Sequence, residues 1–69
     1  MDWYENRASL EPGMVFTLYN DDIVKLEYRV PGDGTQWNCA VWIQNRFSYE
    51  DYRIEPSDLK DRLSDSYPT

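Results

Sequence analysis

The chain reads as a mainly β domain, a small antiparallel meander curled into a barrel and followed by a short C-terminal helix. Two runs, residues 23–30 and 36–44, alternate apolar and polar side chains with the period of two that a half-buried strand requires. Clusters of Pro, Gly, Asn and Asp separate these runs at hairpin spacing. The length of 69 residues leaves room for one domain with one modest core.

Residues 1–10 form an N-terminal arm in which Asp2 and Glu5 stand at capping-box spacing, so one helical turn is expected there. Glu11-Pro12-Gly13 interrupts the chain, and residues 14–19 then read as a strand through Val15, Phe16, Thr17 and Tyr19. After the Asn20-Asp21-Asp22 turn, Val24, Leu26, Tyr28 and Val30 share one strand face, opposite Lys25, Glu27 and Arg29. Pro31-Gly32-Asp33-Gly34 supplies the next turn. In the run that follows, Trp37, Cys39, Val41 and Ile43 face one way, while Asn38, Ala40 and Trp42 face the other. Residues 47–54 make a fourth strand, unless the acidic Glu50-Asp51 pair between Tyr49 and Tyr52 bulges out. Pro56-Ser57 suits the start of a short helix reaching Leu63, with Leu59 and Leu63 on one face. The barrel and helix thus occupy residues 11–63, and residues 64–69 are expected to fray. The expected core is Phe16, Leu18, Val24, Leu26, Tyr28, Trp37, Cys39, Val41 and Ile43.

Across residues 10–59 the arrangement resembles an SH3-like barrel. The resemblance lies in the Leu10-Glu11-Pro12-Gly13 entry, the Trp37 strand and the segment Ile54-Glu55-Pro56-Ser57-Asp58-Leu59. That last segment is similar to the Pro-Ser stretch that ends peptide-binding SH3 domains. The adjacent Trp pair and full acidic loop of those domains are absent, so the resemblance implies a fold and does not carry proline-rich peptide binding with it.

Several chemistries are disfavoured by composition. Without any His, the commonest general base and the usual partner of a Ser or Cys nucleophile are missing, so no enzymatic activity is expected. One Cys and no His cannot complete a structural zinc or iron–sulfur shell, and Asn20-Asp21-Asp22 lacks the ligand spacing of a calcium loop. No metal or other cofactor is expected. Gly13, Gly32 and Gly34 form neither a phosphate loop nor a dinucleotide fingerprint and read as turn residues. Cys39 has no disulfide partner within the chain and shares the apolar face, which predicts a buried, unreactive thiol and fits a cytoplasmic protein. No apolar run approaches the ~20 residues that span a bilayer, and the N-terminus lacks the character of a signal peptide.

The acidic balance serves either solubility or attraction to a basic protein surface, and the Tyr49-Glu50-Asp51-Tyr52 run is either a solvated strand edge or an acidic-aromatic contact patch. Seven Lys and Arg stand against 13 Asp and Glu, a net charge of −6 that repels nucleic acid and attracts basic protein surfaces. Three Trp, six Tyr and two Phe are expected to hold so small a core in the absence of a disulfide, with some of the rings left exposed. In a meander, alternate turns fall at one end of the sheet, which groups Glu11, Asp33, Glu55 and Asp58, roughly 25 Å from Asp21 and Asp22 at the other end. Trp42 on the polar face, and Tyr49 and Tyr52 beside the acidic pair, complete the expected partner-binding set. A cover from the Trp3-Tyr4 segment or the terminal helix is the structural alternative for Trp42. The expected function is therefore a non-enzymatic acidic module, an adaptor or small inhibitor, that docks on a basic partner protein. One alternative is a nucleic-acid-mimicking inhibitor, which would resemble the small acidic mimics of phages, some anti-CRISPR proteins among them. The others are a homodimer or larger structural assembly and an SH3-like reader of short peptides.

Overall fold

The computed structural model describes residues 2–32 and 34–68, with Glu50 described by its backbone alone. Five strands follow one another: β1 (Val15–Leu18), β2 (Ile23–Arg29), β3 (Trp37–Ile43), β4 (Arg46–Ile54) and β5 (Leu59–Leu63). They form one antiparallel sheet in the order β4-β3-β2-β1-β5. Short 3-10 turns at Arg7–Ser9 and Pro56–Asp58 precede β1 and β5.

The mainly β, antiparallel meander of the sequence reading is present, and two of its details are corrected. The sheet is not closed into a barrel: β4 and β5 stand at opposite ends of the strand order. The C-terminal helix expected at residues 56–63 is instead a single 3-10 turn and the strand β5, which pairs with β1. A separation of four residues puts Leu59 and Leu63 together on a helix, but four is also an even number, which suits a strand. Pairing with β1 also satisfies backbone groups of β1 that a helix could not reach.

Three register shifts bend the sheet, as bulges do. On β2, Leu26 pairs with Cys39 and Tyr28 with Asn38, so Glu27 is extra. On β4, residues 49–51 lie between the partners of Cys39 and Val41 and face only Ala40, so the stretch around Glu50-Asp51 is indeed where β4 bulges. On β5, Lys60 is extra between the partners of Thr17 and Leu18. Each shift by one also reverses which face the following residues occupy. That is why Tyr28, expected in the core, stands with Asn38 on the outer face and is 48% exposed. Ile43, also expected inside, lies past the start of β2 at the two-residue turn Gln44-Asn45 and is 43% exposed. Both residues of that turn have positive φ, 51° and 65°, as a tight hairpin between twisted strands requires.

The concave face holds Phe16, Leu18, Val24, Leu26, Trp37, Cys39 and Val41 as expected, joined by Ile54 and Leu59. Two core residues come from the N-terminal arm. Trp3 packs edge-on against Phe16 at 4.8 Å, and Leu10 is buried beside it. Asp2 holds the arm's first turn, its Oδ1 accepting from the Tyr4 and Glu5 backbone N–H groups at 2.9 and 3.3 Å.

The convex face carries a second apolar layer. Val15, Lys25 and Ala40 lie side by side across β1, β2 and β3, and Val15 and Ala40 are fully buried. The Lys25 stem reaches across so that its ammonium sits 4.4 Å above the Phe47 ring. Trp42 stacks edge-on with Phe47 at 4.9 Å and with Tyr67, from the C-terminal segment, at 5.1 Å.

Candidate functional site

The expected site residues fall in several places. Glu11 is exposed ahead of β1, and Asp33 lies outside the described residues. Glu55 is half-buried, and its Oε2 accepts from the Thr35 hydroxyl at 2.8 Å, which ties the end of β4 to the loop after β2. Asp58 Oδ2 accepts from the Glu55 backbone N–H at 2.9 Å, a cap that orders the second 3-10 turn. Tyr49, on the bulge of β4, is 71% exposed. Trp42 is half-buried and covered by Tyr67, not by the Trp3-Tyr4 segment.

Tyr52 and Asp58 come together, and they do so at the end of the molecule that holds Asp22. The curl of the sheet swings the end of β4 over the turn between β1 and β2, so that the Tyr52 hydroxyl donates to Asp22 Oδ2 at 3.0 Å. The same turn is tightened locally: Asn20 Oδ1 accepts from the Asp22 N–H at 3.0 Å, and Asp21 takes a positive φ of 72°. β5 starts opposite Leu18, which brings the turn at Pro56–Asp58 to the same place. The expected grouping of Asp58 with Glu11 is therefore not formed, since Glu11 precedes the far end of β1.

A cleft of about 320 Å³ opens here, walled by Leu18, Tyr19, Asn20, Tyr52, Ile54 and Asp58. Arg53, exposed between Tyr52 and Ile54, lines it as well. On the other side of Tyr19 lies a second cleft of about 370 Å³, walled by Asp2, Trp3, Pro56, Ser57 and Leu59. Tyr19 lines both and is 68% exposed, so it forms the ridge between them. The Asn20 hydrogen bond favours an ionised Tyr52, but burial and the Asp22 and Asp58 carboxylates outweigh it and raise the phenol above its ordinary value. Tyr52 is a neutral donor at physiological pH.

Asp2, Trp3, Tyr19, Asn20, Asp22 and Pro56 are site residues that sequence reasoning missed. Tyr19 carried a signal, as a large ring at a strand end just before an Asn-Asp-Asp turn. The others gather only because the sheet curls.

The cations are placed so as to leave carboxylates open. The Arg7 guanidinium lies 4.4 Å from the Tyr4 ring centre, Lys25 lies over Phe47, and Arg29 stands 5.6 Å from Trp37. Arg62 with Asp65, at 3.2 Å, is the one ion pair among the described residues. The buried acceptors Glu27 Oε1 and Asn38 Oδ1 have no hydrogen-bond donor among the described residues. Cys39 is buried, its thiol directed to the Trp37 carbonyl at 3.8 Å. Burial, with the Glu27 carboxylate second, pushes its pKa up to about 12.

Among the described residues, no three His, Cys, Asp or Glu side chains gather as metal ligands would, and no helix is long and apolar enough to cross a membrane. Comparison with protein-family models, with curated proteins and with solved structures finds no match for this chain.

Proposed function

We propose that the protein is a non-enzymatic, acidic protein-binding module, an adaptor or small inhibitor, that docks on a basic surface of a partner protein. The observation that carries this reading is the disposition of its charges. Three of the seven cations stack on aromatic rings instead of pairing with acids, and a single ion pair is formed among the described residues. Uncompensated carboxylates raise the negative potential outside the molecule, which speeds encounter with a basic partner. Folding alone does not require that arrangement.

A second reading, a reader of short peptide segments, is favoured by the two clefts at Tyr19. The chain order is a four-strand meander, a 3-10 turn and a fifth strand returning beside the first. Assembly into homo-oligomers through strand edges is disfavoured, because β4 bulges at residues 49–51 and β5 is short and charged.

Affinity capture on the immobilised protein, eluted with a salt gradient, tests the leading reading. A retained protein should bind through a basic surface, with an association rate that falls steeply as salt rises. A nucleic-acid-processing partner would identify the mimicry form of the reading. A partner whose association ignores salt would contradict it, and light scattering that shows growth in mass with concentration would favour assembly.

A further inference from the structure

The two clefts at Tyr19 have matching chemistry. Each has an aromatic wall, Tyr52 in the first and Trp3 in the second, with the Tyr19 ring between them. Each also holds a carboxylate fixed in place by a bond that one of its oxygens accepts: Asp58 Oδ2 from the Glu55 N–H in the first, and Asp2 Oδ1 from two backbone N–H groups in the second. The first cleft has Asp22 beside it, held through its Oδ2 by Tyr52. In all three acids the remaining oxygen is left for an incoming donor, and none of the three is in an ion pair among the described residues.

Open clefts of this size suit side chains better than an enclosed small molecule, which is usually surrounded by its pocket. Two such clefts on either side of a ridge suit an extended chain, whose alternate side chains fall on one face roughly 7 Å apart. A rigid carboxylate beside an aromatic ring is a setting for arginine, which pairs with the acid and stacks its planar guanidinium on the ring. The protein already uses this stacking internally, with Arg7 on Tyr4 and Arg29 on Trp37.

We propose that the double cleft at Tyr19 binds an extended, arginine-bearing segment of a partner protein, one guanidinium meeting Asp58 and Asp22 beside Tyr52 and another meeting Asp2 beside Trp3. This inference rests on the reading of an acidic docking module and names where and how that docking occurs. It differs from general acidity in requiring particular acids and rings.

The test is a titration of the labelled full chain, followed by amide NMR at low salt, with a synthetic nonapeptide of alternating arginine and valine. A matched peptide carries citrulline, a neutral isostere, in place of every arginine. The arginine peptide should move the amides of Trp3, Tyr19, Asn20, Tyr52 and Asp58, and the citrulline peptide should bind at least about tenfold more weakly. Asp2→Asn with Asp58→Asn should weaken the arginine peptide by about tenfold, since Asn keeps the acceptor that orders each turn while removing the charge. Preserved dispersion of the variant's spectrum establishes that it is folded. Should the variant unfold, Tyr19→Ala, which alters an exposed ring, replaces it and should weaken binding likewise. Equal binding of the two peptides, or shifts centred on Glu11, Asp61 and Asp65, would overturn the assignment to the clefts. In the latter case the acidic docking module stands and only its location fails; an absence of binding by any basic probe, peptide or captured protein, overturns both.

Discussion

The Tyr52 hydroxyl donates a 3.0 Å hydrogen bond to the Asp22 carboxylate, joining the last part of β4 to the turn between β1 and β2. No backbone ladder connects these two parts of the molecule, because β4 and β1 are not neighbours in the sheet. The bond helps hold the open side of the curl and sets the shape of the first cleft. Tyr52→Phe removes the donor and leaves Asp22 half-exposed to water, so the expected loss is about 1 to 2 kcal/mol. Urea denaturation checks it, and an unchanged midpoint would show that the curl is held by packing alone.

The N-terminal arm is part of the core. Trp3→Ala removes the ring that closes over Phe16 and should cost about 3 to 5 kcal/mol, a large share of the stability of so small a domain. Loss of most near-ultraviolet circular dichroism at 25 °C is the expected readout, and a variant that melts like the parent would return the arm to the surface.

Asn38 offers the opposite sign. Its side chain is buried on the convex face and its Oδ1 accepts no hydrogen bond from the described residues. Asn38→Val removes an uncompensated polar group and adds a good strand former, so stability should rise by about 1 kcal/mol. A fall of similar size would mean that the amide oxygen has a partner in solution, an ordered water above all.

Cys39 makes stability depend on alkaline pH. The folded thiol ionises near 12, the unfolded one near its ordinary value of 9.0. Its contribution is therefore fully present below about pH 9 and is lost as pH rises towards 12, because only the unfolded chain releases the proton in that window, with a slope of about 1.4 kcal/mol per pH unit. Cys39→Ala lacks this slope, so the stability gap between parent and variant should narrow between pH 9 and 11. Parallel profiles would contradict the assignment.

Legibility of the fold in the sequence stops at the bulges. Alternation placed Val24, Leu26, Trp37, Cys39 and Val41 inside, and they are inside. It failed at Tyr28 because Glu27 is an extra residue that reverses the face, and nothing in the residue types marks where a ladder slips. Leu59 and Leu63 were read as a helix face because their spacing fits both periods, and the choice was made by the free edge of β1, a tertiary fact. Trp3 and Leu10 have no periodicity around them to announce burial. Residue type points to Tyr52 and Asp58 as binding residues, yet counting alternate turns sets their neighbour Asp22 at the opposite end, because that count ignores how the curl swings the end of β4 over the turn between β1 and β2.

Docking of a basic partner on carboxylates at one end of the molecule is tested by Asp58→Asn combined with Asp22→Asn. Both changes keep an acceptor for the bonds from Glu55 and Tyr52, so the melting temperature should move little. The measurement is the association rate of the purified captured partner with parent and variant at several salt concentrations. The variant should associate about tenfold more slowly at low salt, and the two rates should converge as salt rises. Equal rates at every salt concentration, with both proteins folded, would contradict it.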